Sequence, residues 1–254
     1  LKKQNGPKIL LWDLENAPSL GWFYDLWKEG NIVGTKAEQY FLSVAYKWLG
    51  DKKVRSFALP DFPGYRPGSE DDKALVKEIW KLFDEADILI AHNGDHFDIR
   101  KANARFAYYN LPPPSPYKTV DTLKVARRYF NFTSNKLDNL GNHLGYGRKL
   151  VHTGFNLWKG CMTGDMKAWK KMVQYNKRDV VLLEQIYLHF LPWITNHPNT
   201  AVLSETVDGC PNCGSQNLQR QGFSLTKMGT KQRYKCTDCL SWSHGQTHKV
   251  TSIS

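Results

Sequence analysis

The stretch KILLWDLEN, residues 8–16, constrains the fold more than any other part of this chain. Ile9, Leu10, Leu11, Trp12 and Leu14 make an apolar run of the kind that forms a buried strand, yet Asp13 and Glu15 stand inside it. Side chains alternate along a strand, so the two carboxylates share a face, roughly 7 Å apart. Like charges on one face of a buried strand repel each other and resist desolvation. A sheet built on this strand therefore needs a cation at that point.

The chain has 254 residues, enough for one sizeable core and a small appendage. Hydrophobic residues make up 41%, which excludes a disordered chain, and no apolar run reaches membrane-spanning length, which excludes a membrane span. The first residues, LKKQNGPK, lack both an initiator Met and an apolar core, so the expectation is a trimmed chain without a signal peptide. The net charge of +11 favours a polyanionic partner.

Several elements follow from pattern. NAPSLGWFYDLWKEGNIVGTKAEQ reads as a loop-like insertion. YFLSVAYKWLG and KKVRSFALP read as paired strands joined by a tight turn. DDKALVKEIWKLFDEA has helical periodicity, with Leu75, Ile79, Leu82 and Phe83 on one face. DILIAHNG is a buried strand, and the helix after it is expected to start at an Asp95 N-cap, with Asp98 in its first turn. KTVDTL is a short strand whose Asp121 suits strand-end structure, and NKLDNLGNHLGYG is a short helix. A long helix begins at GDMKAWKK. Hairpin strands followed by strands alternating with helices imply an α/β fold, a mixed sheet flanked by helices.

Two further carboxylates bear on the opening stretch. Asp98 at a helix N-terminus has an ordinary explanation, since acids are favoured there by roughly 0.3–1 kcal/mol. Asp179 falls on the apolar stripe of the long helix, between Val173 and Leu183, with Tyr175 one turn earlier. A buried Asp paired with Lys or Arg would explain it, but Lys177 and Arg178 project to other faces. The other reading brings Asp13, Glu15, Asp98 and Asp179 together around divalent cations. Hard cations take oxygen ligands, and a pair about 3.5–4 Å apart clamps a phosphodiester.

These residues resemble the motifs of the DEDDy 3′–5′ exonucleases of the ribonuclease H-like superfamily. DLE (Asp13 to Glu15) resembles the first motif, NGDHFD (Asn93 to Asp98) the second, and YNKRD (Tyr175 to Asp179) the third. The pattern is similar to the proofreading domain of family B DNA polymerases and to stand-alone phage and bacterial exonucleases, over roughly residues 8–192. The resemblance implies a ribonuclease H-like sheet and two Mg²⁺ or Mn²⁺ ions held by Asp13, Glu15, Asp98 and Asp179. It implies that Tyr175 orients the attacking water and that Asn93 holds the 3′-terminal nucleotide. It favours DNA over RNA, and the cytoplasm of a bacterial or phage-infected cell. Trp22, Phe23, Tyr24 and Trp27 in the insertion fit either local core packing or a stacking platform for unpaired bases.

Of five cysteines, Cys161 stands alone and has no evident role. Cys210, Cys213, Cys236 and Cys239 form two Cys-x-x-Cys knuckles with 22 residues between them, a spacing that suits one structural Zn²⁺ in a zinc ribbon better than disulfides. Leu240 stands where the first knuckle has a glycine, which leaves the second turn's geometry open. Arg220, Lys227, Lys231, Arg233 and Lys235, interleaved with Phe223 and Tyr234, read as a nucleic-acid grip, with docking to a replication or repair protein as the alternative. The expected organisation is a catalytic domain over 1–198, a linker over 199–208 and the ribbon over 209–254. The expected activity is a metal-dependent 3′–5′ exonuclease. Its rivals are an exoribonuclease, a structure-specific endonuclease of the same fold, and a non-catalytic binding module.

Overall fold

The structure is a computed structural model that describes residues 6–24, 32–203, 208–227 and 229–249. Its strands are β1 (Ile9–Asn16), β2 (Leu20–Trp22), β3 (Gly34–Ala37), β4 (Phe41–Trp48), β5 (Arg55–Ala58), β6 (Ile88–Ala91), β7 (Lys118–Asp121), β8 (Leu218–Thr226), β9 (Gly229–Cys236) and β10 (Trp242–Lys249). Its helices are α1 (Lys73–Glu85), α2 (Asp98–Tyr108), α3 (Thr122–Tyr129), α4 (Leu137–His143), α5 (Phe155–Met162) and α6 (Met166–Phe190).

A mixed five-stranded sheet in the order β5-β4-β1-β6-β7 carries the fold. β4 runs antiparallel to β5 and β1, and β6 runs parallel to β1 and β7. The alternation of β1 divides the core. Leu10, Trp12 and Leu14 enter a cluster with Leu75, Val76, Ile79 and Phe83 of α1 and Ala102 and Phe106 of α2. Ile9 and Leu11 enter a second cluster with Ile90, Val120, Val125 and the C-terminal half of α6, including Val180, Leu183 and Tyr187. Each fully buried aliphatic side chain contributes roughly 1.5–3 kcal/mol, so an acid at Ile79 would disrupt the first cluster. Asp13 and Glu15 continue the face of Ile9 and Leu11, toward α6. α6 itself spans both clusters, with Trp169, Met172 and Tyr175 in the first and Val180 onward in the second.

Two local expectations change. Helix α2 starts after Phe97, not at an Asp95 cap; Asp95 pairs with Lys124 instead. Asp98 is nonetheless in the first turn. The insertion after β1 is a β2–β3 hairpin rather than a loop, and its aromatics are not core: Trp22 is 62%, Phe23 57% and Tyr24 94% exposed. Trp27 lies outside the described residues.

The C-terminal segment forms a three-stranded antiparallel sheet, β10-β9-β8, beneath two turns that carry the cysteines. The two turns share one hydrogen-bond pattern. Cys210 N–H donates to Ser215 O and Gly214 N–H to Cys210 O; Cys236 N–H donates to Ser241 O and Leu240 N–H to Cys236 O. Gly214 has φ +77° and Leu240 φ +64°, so the leucine adopts the left-handed conformation that glycine supplies in the first turn. The ribbon docks on the end of α6. The buried Asn212 Nδ2 donates to Leu191 O, Ile194 O and Ser241 Oγ, each at 3.0 Å. Between them, Thr200 and Ala201 are buried, and Thr200 N–H donates to Pro211 O at 2.8 Å. Among the described residues, no helix is long and apolar enough to cross a membrane.

Candidate active site and metal centres

Asp13, Glu15 and Asp179 each offer a carboxylate oxygen within 4.8 Å of the other two. β1 supplies the first two by alternation, and α6 brings Asp179 where its two core stripes meet. Asp98 stands beside this trio, outside its 4.8 Å limit, yet close enough to be felt by Asp13 and Glu15. The turn that places it is specific. Asn93 has φ +68°, and its N–H donates to Asp121 Oδ1 at 2.8 Å. A Cβ on Gly94 would lie 2.4 Å from the Ala91 Cβ, so the position requires glycine. Asp121 also caps α3 through Leu123 N–H, the strand-end role expected of it.

The acids are largely deprived of water, and Lys149 and Lys101 only partly offset four carboxylates. Burial, then Asp179, Glu15 and Asp98, push Asp13 well above the usual carboxylate range. Burial and Asp179 raise Glu15 to about 8. Burial raises Asp98 to about 7 against the opposing pull of its own backbone N–H and Lys101. Burial also raises Asp179, with Lys149 opposing. Asp179 is fully buried; its Oδ2 accepts from Lys149 Nζ at 2.6 Å, while its Oδ1 has no hydrogen-bond partner. An all-oxygen donor set with a buried unpartnered oxygen and self-repelling carboxylates fits a hard divalent cation.

Sequence reasoning missed several neighbours. Asn176 Nδ2 donates to Asp13 Oδ2 at 2.6 Å, and its Oδ1 accepts from Ser43 Oγ at 3.1 Å, so the amide orients Asp13. Its position three residues before Asp179, on the same buried stripe, was the available signal. Lys149 had none, because it lies in the loop after α4. That loop is clamped: Arg178 donates to Tyr146 O and Arg148 O, and Asp138 accepts from Lys149 N–H. Asp179 is thus both a buried Asp paired with Lys and a member of the acidic cluster. Lys149 Nζ also donates to Tyr175 Oη at 3.2 Å. Burial opposes the Lys149 charge, but Asp179 and Asp13 overcome this and hold its pKa above the ordinary value. Burial and Asp179 raise Tyr175, which keeps its hydroxyl protonated.

Asp13, Glu15 and Asp98 line an open cleft of about 540 Å³, walled by His92, Phe97, Lys101, Phe155 and Trp158, while Asp179 lies buried and does not line it. Asn93 shapes the turn behind it and does not line it, and Trp22 and Phe23 stand on the hairpin that begins just past its Pro18 rim. Arg220, Lys231 and Arg233 lie on the ribbon strands, and among the described residues none of the ribbon lines the cleft.

The four cysteines make a second cluster, with all sulfurs within 4.8 Å of one another. Cys210–Cys239 and Cys213–Cys236 are 3.6 and 3.7 Å apart, and none is in a disulfide. A Zn–S bond of about 2.3 Å gives a tetrahedral edge of about 3.8 Å, so the sulfur set fits Zn²⁺.

Three comparisons bear on this architecture. One segment is 38% identical over 68 residues to the PolC-type DNA polymerase III of Ureaplasma parvum serovar 3, covering 26% of this chain and 4% of that protein. The fold is similar to that of the family B DNA polymerase of the archaeon Pyrobaculum calidifontis, with a TM-score of 0.51 and 14% identity. That match covers 87% of this chain and 31% of the polymerase. The family model of the RNase H superfamily matches residues 33–191, from the hairpin through the whole of α6. With its mixed sheet and flanking helices lying largely inside that match, the chain belongs to the RNase H superfamily.

Proposed function

We propose that this protein is a metal-dependent 3′–5′ exonuclease that acts on DNA in preference to RNA. The observation that carries the reading is the meeting of Asp13, Glu15 and the buried Asp179 within 4.8 Å, with Asp13, Glu15 and Asp98 lining an open cleft. The relatives named as DNA polymerases support nucleic acid, and DNA in particular, as substrate. The Ureaplasma relative favours a bacterial setting.

Asp13, Glu15 and Asp179 would hold one Mg²⁺ or Mn²⁺, and Asp13 with Asp98 a second. When bound, the ions supply Lewis acidity toward the phosphate and lower the pKa of a bound water. The chain's own groups do the rest. Asn176 fixes the Asp13 carboxylate. Tyr175 accepts from Lys149 and stands beside Asp179, where its hydroxyl would orient the attacking water. Phe97, Phe155 and Trp158 wall the cleft where the terminal nucleotide would lie, with Asn93 shaping the turn behind it. The exposed Trp22 and Phe23 offer unpaired bases a stacking platform next to the rim. Residues 209–254 would fold around one structural Zn²⁺, with Arg220, Lys231 and Arg233 meeting phosphates.

End-labelled DNA and RNA, single- and double-stranded, incubated with Mg²⁺ or Mn²⁺, test this directly. A ladder shrinking from the 3′ end of DNA is expected. Faster loss of RNA would reassign the substrate, a single internal cut would make the protein an endonuclease, and no cleavage by the intact cluster would leave a binding module.

A further inference from the structure

One face of the ribbon sheet carries a site that the cysteine pattern does not predict. Lys231, Arg233 and Lys235 alternate along β9 and so share one face of the sheet. Trp242 pairs with Lys235 across β10, and His244 pairs with Arg233, so both stand on that same face. Arg220 pairs with Tyr234 and belongs to the opposite face.

Trp242 is the centre of this arrangement. Its ring lies 5.5 Å from the Arg233 guanidinium and 5.9 Å from the Lys235 ammonium, and the residue is still 47% exposed. Arg233 is held in place. The β8 strand bulges between Arg220 and Phe223, and Arg233 Nε donates to the Gln221 carbonyl at 3.1 Å. Gly222 in the bulge has φ +63°, and a Cβ there would stand 3.3 Å from Arg233 Nη2. The bulge thus lets the guanidinium reach across to β8 while the residue stays exposed. In residues 209–249 the only acid is Asp238, and the Ser215 hydroxyl and Asn217 amide occupy it at the second cysteine turn. A preset cation pair around an exposed indole complements a polyanion that also carries flat apolar surfaces, although Asp208, just ahead of the ribbon, lines the cavity beside that indole.

We propose that the β9–β10 face binds single-stranded nucleic acid, with one unpaired base stacked on Trp242 and the flanking phosphates met by Lys231, Arg233 and Lys235. An unpaired base is favoured because inside a duplex both faces of a base are covered by its stacked neighbours. Stacking is tolerant of base identity, so the site holds strands without reading sequence. The proposal deepens the nuclease reading by giving the substrate a second point of attachment, and it rests on that reading only for the class of ligand.

The test uses the full chain carrying Asp13→Ala, with fluorescence anisotropy of labelled oligo-dT, oligo-rU, an abasic strand of equal length and a duplex. Trp242→Ala should weaken oligo-dT binding about tenfold, leave the abasic strand unaffected and leave the salt slope unchanged. Trp242→Phe should restore most of the loss. Arg233→Gln with Lys235→Gln should lower the salt slope by about 1.4 on the oligo-dT and abasic strands alike. Zinc content is measured for each variant, so that collapse of the ribbon is seen as such. An equal loss on the abasic strand, no loss from Trp242→Ala in a zinc-loaded variant, or preference for the duplex overturns the proposal. Cleavage by the unsubstituted chain is scored separately. A chain that cuts but ignores Trp242 overturns this surface alone, and one that binds through Trp242 but does not cut overturns the nuclease reading alone.

Discussion

The acidic cluster draws its members from a strand at the start of the chain and from α6, while the cysteine cluster draws on two short turns of one small sheet. The carboxylates are forced together by two hydrophobic cores that would pack as well without them, so in the absence of a cation they work against the fold. The cysteines have no such core. β8 exposes nearly every residue, so the ribbon's order depends on what its sulfurs hold. One site is made by the fold at some expense to it, and the other makes the fold around it. Removing metal should therefore relax the first and dissolve the second.

The largest contrast should come from single substitutions in the two clusters. Asp13→Ala is expected to lower cleavage about 10³-fold or more while zinc content and fold persist. Cys236→Ser is expected to abolish zinc binding and ribbon order, read by metal analysis and amide exchange, while the cleft still cleaves short substrates. Loss of the β1–α6 fold in Asp13→Ala, or a zinc-loaded Cys236→Ser, would erase the distinction.

A pH series sharpens it further. Glu15 is raised from 4.5 to about 8 and Asp98 from 3.8 to about 7, so between those limits the folded chain binds more protons than the unfolded one. Their contribution is most favourable below about pH 4 and is lost as pH rises toward 8. In chelator mild enough to leave zinc bound, thermal stability should fall from pH 5.5 to pH 8. Saturating Mg²⁺ should stabilise the protein more at pH 8 than at pH 5.5. Equal Mg²⁺ stabilisation at both values would mean that the ions do not bind these carboxylates.

Smaller effects concern the groups around each cluster. Tyr175→Phe should slow cleavage less than Asp179→Ala, because placing a water contributes less than holding a cation; single-turnover rates with equal losses would reverse those roles. Leu240→Gly should stabilise the zinc-bound ribbon by up to about 1 kcal/mol, since it relieves a left-handed leucine. A destabilised Leu240→Gly would show that the half-exposed side chain contributes more packing than its backbone loses.

Much of this was legible because it rests on period. The alternation of β1 put Asp13 and Glu15 on one face, and the stripe of α6 put Asp179 on the core side. What stayed hidden depends on meetings between distant segments. Lys149 reaches Asp179 from an irregular loop that Arg178 anchors, and no periodicity marks such a loop. Asp95 looked like a helix cap because acids favour that position, but its pairing with Lys124 took precedence. The insertion's aromatics fitted either a core or a surface by composition, and the hairpin leaves them at the surface. The second cysteine turn lacked its glycine, yet it keeps the hydrogen bonds of the first.

The Asn212 side chain has a thermodynamic corollary. Its amide joins the first cysteine turn to the carbonyls of Leu191 and Ile194 at the foot of α6, the helix that carries Asp179 at mid-length. Linkage is reciprocal: whatever factor zinc lends to the order of that foot, the ordered foot returns to zinc affinity. The ribbon within the full chain should therefore hold zinc more tightly than residues 199–254 alone, and Asn212→Ala should close the gap. Thiol oxidation at the knuckles would then register as a loosened helix end, a disturbance arriving at the acidic cluster through its scaffold rather than through its cleft.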